Sequence, residues 1–105
     1  MVQIVRQTFF RLPAEHHKAA EAAYEKMRGA NKKDGRDYIV DLQVYKLHND
    51  PRSGGFTFMA RSVFSSLDDM RYYDDQDEAH TELKKTLKPN VLGGQDGVMT
   101  VYMDA

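Results

Sequence analysis

The 105 residues are enough for one domain, expected to span positions 1–105, whose small core would gain much from a partner chain. The 15 lysine and arginine residues nearly cancel the 16 aspartate and glutamate residues and form no basic stripe, so the sequence argues against nucleic-acid binding. Cysteine is absent, which excludes disulfides and thiolate metal sites, and no segment is apolar enough to span a membrane, so we expect a soluble, cytoplasmic protein.

The first half of the chain predicts a strand, a helix and a second strand. Branched and aromatic side chains in residues 2–11 are typical of a strand, and Pro13 suits the first turn of a following helix. Residues 31–35 have turn chemistry. The helix before this turn has small and apolar residues at helical spacing, and the strand after it alternates apolar and polar residues to about Leu47. The side chains expected to face inward are Ala20, Ala23, Tyr24 and Met27 in the helix and Tyr38, Val40, Leu42 and Val44 in the strand.

The second half predicts, in order, a hairpin loop, a strand, a helix, a glycine-containing connection and a last strand. These cover residues 48–55, 56–64, 67–87, 90–97 and 98–103. Ser65 or Ser66 is expected to cap the helix, and Pro89 marks its end. The glycine-containing connection is expected to be mobile and able to gate a pocket.

The element order is strand, helix, strand, strand, helix, strand, which is the βαββαβ pattern of ferredoxin-like α+β folds. Such a fold has a four-stranded antiparallel sheet with its two main helices on one face. The first, third and last strands nevertheless place apolar side chains on both faces, so the second face also needs a cover. We therefore predict a homodimer in which two sheets pack face to face as a dimeric α/β barrel.

One face of the second helix carries the most plausible chemistry. Tyr73 and His80 are seven positions apart, which brings them to one face if residues 67–87 are a single helix. An imidazole and a phenol at the edge of an apolar face are suited to act as base and hydroxyl partner in a pocket. They are equally suited to be satisfied core residues. Tyr72 points further outward, and Tyr24 and Tyr102 are further candidates to line a cavity between helices and sheet.

Two other clusters are interpreted as structural. The acidic run at 74, 75, 77 and 78 lacks the glycine and the ligand spacing of a calcium loop, so we expect a solvated surface. His16 and His17 are adjacent on a helix and diverge by about 100°, which makes a shared metal ion improbable and predicts that both lie at the surface. The sequence thus predicts no metal site.

The chain resembles the stress-response A/B barrel domain family, in the small version common in fungi. The resemblance covers nearly the whole chain and is carried by the order and spacing of four segments, residues 55–57, 64–73, 78–80 and 97–102. It implies a dimeric α+β barrel. Members of this family and its superfamily include polyketide cyclases and lyases, haem-degrading monooxygenases and stress-associated proteins, so the fold alone does not select an activity.

In the members of the family that catalyse cyclisation, a histidine acts as the base and a tyrosine assists it. The resemblance implies the role of base for His80 and the assisting role for Tyr73 or Tyr72. No cofactor is needed for that chemistry. Two further histidines of such cyclases are replaced here by Ile4 and Phe58, and the interval from tyrosine to histidine is one residue longer. We therefore expect a protein that binds an apolar or polyketide-like molecule, as a cofactor-independent cyclase or lyase or as a non-catalytic stress-associated dimer that sequesters a ligand.

Overall fold

Strands and helices form where the hydrophobic pattern predicts them, except that the second helix is divided in two. The computed structural model describes residues 2–105. Short 3₁₀ turns lie in the connections, and no helix in the described residues is long and apolar enough to cross a membrane. The main elements are β1 (Ile4–Phe10), α1 (His17–Ala30), β2 (Ile39–Lys46), β3 (Phe58–Phe64), α2 (Leu67–Asp75), α3 (Glu78–Leu87) and β4 (Val98–Asp104).

The four strands form one antiparallel sheet in the order β2-β3-β1-β4. The two central strands, β1 and β3, pair in register from Ile4 opposite Phe64 to Phe10 opposite Phe58. β4 lies at an edge and pairs only with β1 among the described strands. This arrangement confirms the predicted ferredoxin-like α+β fold.

The core lies between one face of the sheet and the helices. Alternate residues of β3 are almost fully enclosed, as the pattern predicts, with Phe58 and Phe64 at 0% exposure. The helices contribute their predicted apolar stripes, because residues at helical spacing share one face. The enclosed helix side chains include Ala20, Tyr24, Met27, Met70, Tyr73, Leu83 and Leu87.

The other face of the sheet is not covered by the helices and is partly apolar. Along β4 it presents Met99, Val101 and Met103, which are 43%, 39% and 42% exposed. Val5 and Val63 face each other across the neighbouring strands on the same side. We call the side chains of Met99, Val101, Met103, Phe9 and Met59 the open apolar face. The alternation that predicted apolar residues on both faces of β4 is therefore present in the fold.

The prediction of one continuous helix over residues 67–87 is wrong, because the helix stops at Asp75 and restarts at Glu78. Asp77 causes the restart: its carboxylate accepts hydrogen bonds from the backbone N–H groups of Ala79 and His80, at 2.8 and 3.3 Å. Such N-caps satisfy donors that a helix start leaves free. Ser66 caps α2 in the same way, one of the two predicted serines.

Asp77 also departs from the expected solvated acidic surface. It is 3% exposed, and its second carboxylate oxygen accepts a hydrogen bond from the hydroxyl of Tyr38. The neighbouring Asp75 and Glu78 are exposed, as expected. One carboxylate of the acidic run is thus a buried structural group, and the spacing of the run alone does not distinguish it from the others.

The histidine pair differs from its predicted surface position at one residue. His17 is buried at the start of α1, where its Nε2 lies 2.9 Å from the carbonyl oxygen of Leu12 and its ring packs on Phe58. A 3₁₀ turn over Ala14–His16 rotates the chain before α1 begins and directs His17 towards the sheet. His16 is only partly covered.

One further expectation fails for a local reason. Val40 is 51% exposed because the register of β2 against β3 shifts between Ile39 and Asp41, a bulge that turns Val40 outward.

The connection over residues 90–97 is hydrogen-bonded to Arg11. Backbone bonds join Arg11 to Gly97 and Leu92 at 2.8 and 2.9 Å, and the Arg11 side chain donates to the carbonyl of residue 96 at 2.8 Å. These bonds hold the connection at residues 92, 96 and 97, and its expected mobility and gating role stay a prediction.

Candidate functional site

A cavity of about 220 Å³ lies between α3 and the β1 and β4 side of the sheet. Its exposed lining residues Lys88 and Thr100 place the mouth between α3 and the edge strand. Apolar walls with a few convergent polar groups are typical of small-molecule sites. The lining side chains are Arg6, Thr8, Phe10, Tyr24, His80, Leu83, Lys84, Leu87, Lys88, Val91, Val98 and Thr100.

His80 reaches this cavity from the first turn of α3, where the Asp77 cap fixes its backbone. Its Nδ1 lies 2.8 Å from the carbonyl oxygen of Tyr73. Because a carbonyl oxygen only accepts hydrogen bonds, Nδ1 must carry the proton in this contact. The neutral ring then has its lone pair on Nε2, which has no hydrogen-bond partner among residues 2–105. The fold thus fixes the tautomer of a histidine that lines the cavity and leaves its Nε2 as a hydrogen-bond acceptor.

Tyr73 positions this imidazole and does not itself line the cavity. The two rings are stacked, with centroids 3.7 Å apart and planes inclined by 15°. The phenol hydroxyl of Tyr73 points elsewhere and contacts the sulfur of Met27 at 3.5 Å. The predicted pairing of Tyr73 and His80 on one side of the chain therefore exists, as a stack across the break between α2 and α3.

Burial keeps His80 neutral. It lowers the pKa of the imidazole to about 3, with the bond to the Tyr73 carbonyl acting in the opposite direction and the charges of Arg6 and Lys84 adding to the decrease. Burial likewise raises the pKa of Tyr73 well above its usual range. At neutral pH the site therefore contains a neutral imidazole and neutral phenols.

Tyr72 lies apart from this cavity. Its hydroxyl donates to the carbonyl of Lys32 at 3.2 Å, and its ring makes an edge contact with Tyr38 at 5.2 Å between centroids. Tyr24, in contrast, lines the cavity from α1 and is 2% exposed, with its pKa raised by burial. Of the tyrosines named from the sequence, Tyr24 is the one whose side chain lines the cavity beside His80.

The structure adds one group that the hydrophobic pattern did not indicate, the inward-facing Arg6 of β1. Arg6 is 9% exposed, donates to Thr8 Oγ1 at 2.7 Å and pairs with Asp74 at 2.8 Å. Its guanidinium carbon lies 5.1 Å from the centre of the Tyr73 ring. The signal was available, since a charged residue occupied an inward position of a strand whose other inward residues are apolar or small.

The sequence is covered almost end to end by one family model, that of the stress responsive A/B barrel domain, which matches residues 4–100. The chain belongs to this family. A relative from Gibberella zeae, described as a fusaristatin A biosynthesis cluster protein, is 34% identical over 101 residues. That match covers 95% of this chain and 71% of the relative.

Solved structures of the same architecture include a dimeric ferredoxin-like protein of unknown function from Jannaschia sp. CCS1. It has a TM-score of 0.76 and 11% identity, covering 98% of this chain and 99% of that one. The hydroxynitrile lyase from Passiflora edulis has a TM-score of 0.75 and 14% identity, covering 99% and 94% of the two chains. At these identities the likeness establishes the shared fold.

Two positions at which family cyclases were expected to carry histidines are core positions in this A/B barrel domain. Ile4 is 6% exposed and Phe58 is 0% exposed, and neither lines the cavity with His80. Within residues 2–105, no three His, Asp or Glu side chains come together in a group that would hold a metal ion. Among the described residues, His80 is the only histidine that lines this cavity.

Proposed function

We propose that this A/B barrel protein binds an apolar or polyketide-like small molecule in the α3 cavity and acts on it as a cofactor-independent cyclase or lyase. The observation that carries the proposal is the fixed tautomer of His80, whose unpaired Nε2 belongs to a residue lining the cavity. A neutral imidazole accepts a proton without first losing one. His80 is the proposed base, and Tyr24 is the phenol that lines the cavity beside it.

A ring closure by this base conserves atoms and electrons. Nε2 takes a proton from a methylene group between two carbonyls, and the enolate carbon attacks another carbonyl carbon of the same chain. A carbon–carbon bond forms, and the imidazolium returns its proton to the new alkoxide. The low pKa of His80 makes it a weak base in the empty cavity, but a developing enolate beside the ring favours the imidazolium and raises its pKa.

A lyase reaction uses the same atom. Nε2 takes the hydroxyl proton of a cyanohydrin, the bond to the nitrile carbon breaks, and cyanide leaves with the returned proton as hydrogen cyanide. The fold shared with the Passiflora edulis enzyme supports including this reaction in a test. Neither reaction consumes an oxidant or a reductant.

One observation favours the alternative, a non-catalytic protein that sequesters its ligand. The hydroxyl of Tyr73, the predicted assisting phenol, contacts Met27 instead of the cavity. Tyr73 then acts by positioning His80. A binding protein needs the hydrogen-bond acceptor at Nε2 but no proton transfer, and turnover distinguishes the two functions.

The test compares a linear poly-β-keto thioester and mandelonitrile as substrates, with products followed by chromatography and absorbance. The wild-type protein is expected to accelerate one reaction, and His80→Asn to lose at least about a hundredfold of that rate, the usual contribution of a general base. Asparagine retains an N–H for the Tyr73 carbonyl while removing Nε2. His48→Asn, at an exposed site, is the control.

Binding measured in parallel separates the remaining outcomes. If backbone amide signals of the cavity residues shift with the thioester but neither substrate reacts, the sequestering function replaces the catalytic one. If neither binding nor turnover occurs, the cavity is not a site for this class of molecule.

We also propose that two copies pair through their sheets as a homodimer. The open apolar face, which the helices leave uncovered, supports this, as does the dimeric state described for the Jannaschia protein. Val101→Glu is expected to give a folded monomer in light scattering after size-exclusion chromatography, because two-fold symmetry buries the new charge twice. Ala22→Glu, on the exposed side of α1, should leave the dimer intact; a monomeric wild-type protein would contradict the proposal.

A further inference from the structure

The charges around the α3 cavity have one sign. Its three charged lining side chains are Arg6, Lys84 and Lys88, and no carboxylate lines it. The Arg6 guanidinium lies near the imidazole, because its carbon is 5.1 Å from the centre of the Tyr73 ring and that ring stacks on His80 at 3.7 Å. The chain as a whole carries a net charge of −1, so this concentration of cations is a local property of the cavity.

Arg6 is the unusual member, because a guanidinium is rarely buried without full compensation. Of its five N–H donors, one is bonded to Thr8 and one to Asp74. Nε is completely enclosed and has no acceptor among residues 2–105, so it leaves the buried guanidinium poorly compensated but cannot itself contact a ligand in the cavity. Asp74 is itself partly exposed, with 35% of its side chain accessible, so water weakens its compensation of the Arg6 charge.

We propose that the molecule bound in the α3 cavity carries an anionic oxygen, such as a carboxylate, which the Arg6 guanidinium holds opposite Nε2 of His80. This inference rests on the proposed small-molecule site and narrows its ligand to polyketide-like molecules that carry an anionic group, a class that does not include mandelonitrile. A buried guanidinium with unused donors binds a carboxylate strongly, because charge-assisted hydrogen bonds are worth about twice neutral ones. Lys84 and Lys88 near the mouth favour the same charge, and Nε2 of His80 accepts from a hydroxyl elsewhere on the ligand.

The test uses two probes of the same shape, 3-hydroxybenzoate and its neutral amide, 3-hydroxybenzamide. Each is titrated into the full chain labelled with ¹⁵N, and dissociation constants are taken from the shifts of cavity amides. The wild-type protein is expected to bind the carboxylate about tenfold more tightly than the amide, the factor that corresponds to one charge-assisted bond. Raising the salt concentration should reduce that preference.

Two variants at the ion pair separate binding from structure. Arg6→Gln should bind both probes equally, with affinity for the amide close to that of the wild type. Asp74→Asn removes the same ion pair but keeps the guanidinium, so it should retain or increase the preference for the carboxylate. If Asp74→Asn instead loses the preference, Arg6 is a structural partner of Asp74 and the inference is overturned.

The wild-type titration decides the inference even if Arg6→Gln does not fold. Equal affinity for the two probes rejects the anionic ligand but leaves the proposed site standing. Absence of any shift in cavity amides with either probe rejects the small-molecule site itself. If folded Arg6→Gln still prefers the carboxylate, the anion is bound by Lys84 and Lys88, and the proposed role of Arg6 is rejected.

Discussion

Asp77→Ala is expected to lower the free energy of unfolding by about 3 kcal/mol, because one carboxylate does two structural tasks. Its first oxygen caps α3 through Ala79 and His80, and loss of a cap costs about 1 kcal/mol. Its second oxygen accepts from Tyr38, and a buried hydrogen bond to a charged group contributes about 2 kcal/mol. Urea denaturation followed by circular dichroism measures the sum.

Three further variants separate these contributions. Asp77→Asn keeps an oxygen for the cap and should lose less than half as much stability as the alanine variant. Tyr38→Phe should lose the second contribution alone, and the double variant with Asp77→Ala should be less destabilised than the sum. Asp75→Ala removes an exposed carboxylate two positions away and should change stability by less than about 0.5 kcal/mol. If Asp75→Ala lost as much stability as Asp77→Ala, the negative charge of the acidic run, rather than the cap, would be what stabilises this region.

The break at Asp77 also connects the fold to the site. A continuous helix would place residues 73 and 80 about two turns apart on one face, some 10 Å along the axis. Ending α2 and restarting α3 instead allows the Tyr73 ring to lie against the imidazole at 3.7 Å and its carbonyl to accept from Nδ1. The cap therefore stabilises the start of α3 and holds the backbone of His80, whose tautomer is fixed by the carbonyl of Tyr73.

Local patterns predicted most of this fold because its strands and helices follow simple periodicities. The alternation in β3 and the helical spacing of Ala20, Tyr24 and Met27 correspond directly to enclosed side chains. The pattern failed where one residue changes the register or the chain direction. The bulge that exposes Val40 and the turn that buries His17 depend on tertiary pairing, which composition and periodicity do not encode.

The candidate site was partly predictable for the same reason. The seven-residue interval and the resemblance both pointed to Tyr73 and His80, and the two rings do meet. The interval did not reveal that the Tyr73 hydroxyl turns towards Met27, since that direction depends on packing between α1 and α2. Arg6 was missed although its position was informative: an arginine on the inward side of β1 is costly unless something compensates it.

The stability of the protein is expected to fall by about 3 kcal/mol between pH 7.5 and pH 4.5 through His80 alone. In the folded state burial lowers the pKa of this imidazole to about 3, whereas in the unfolded chain it returns to about 6.5. Between these values the unfolded chain binds the extra proton. His80 therefore leaves stability unchanged above pH 6.5 and lowers it as the pH falls below 6.5, by at most about 1.4 kcal/mol per pH unit.

His80→Asn isolates this contribution, because the difference in unfolding free energy between wild type and variant cancels the carboxylates that also titrate in acid. The variant loses the ring stack and is expected to be less stable at pH 7.5, but that deficit should shrink by about 3 kcal/mol on going to pH 4.5. His48→Asn, at an exposed position, should keep a constant difference from wild type. A constant deficit for His80→Asn over the same range would mean that the imidazole is protonated inside the fold. Nε2 would then carry a proton in acid, and the neutral acceptor on which both the proposed base and the proposed ligand contact depend would exist only at higher pH.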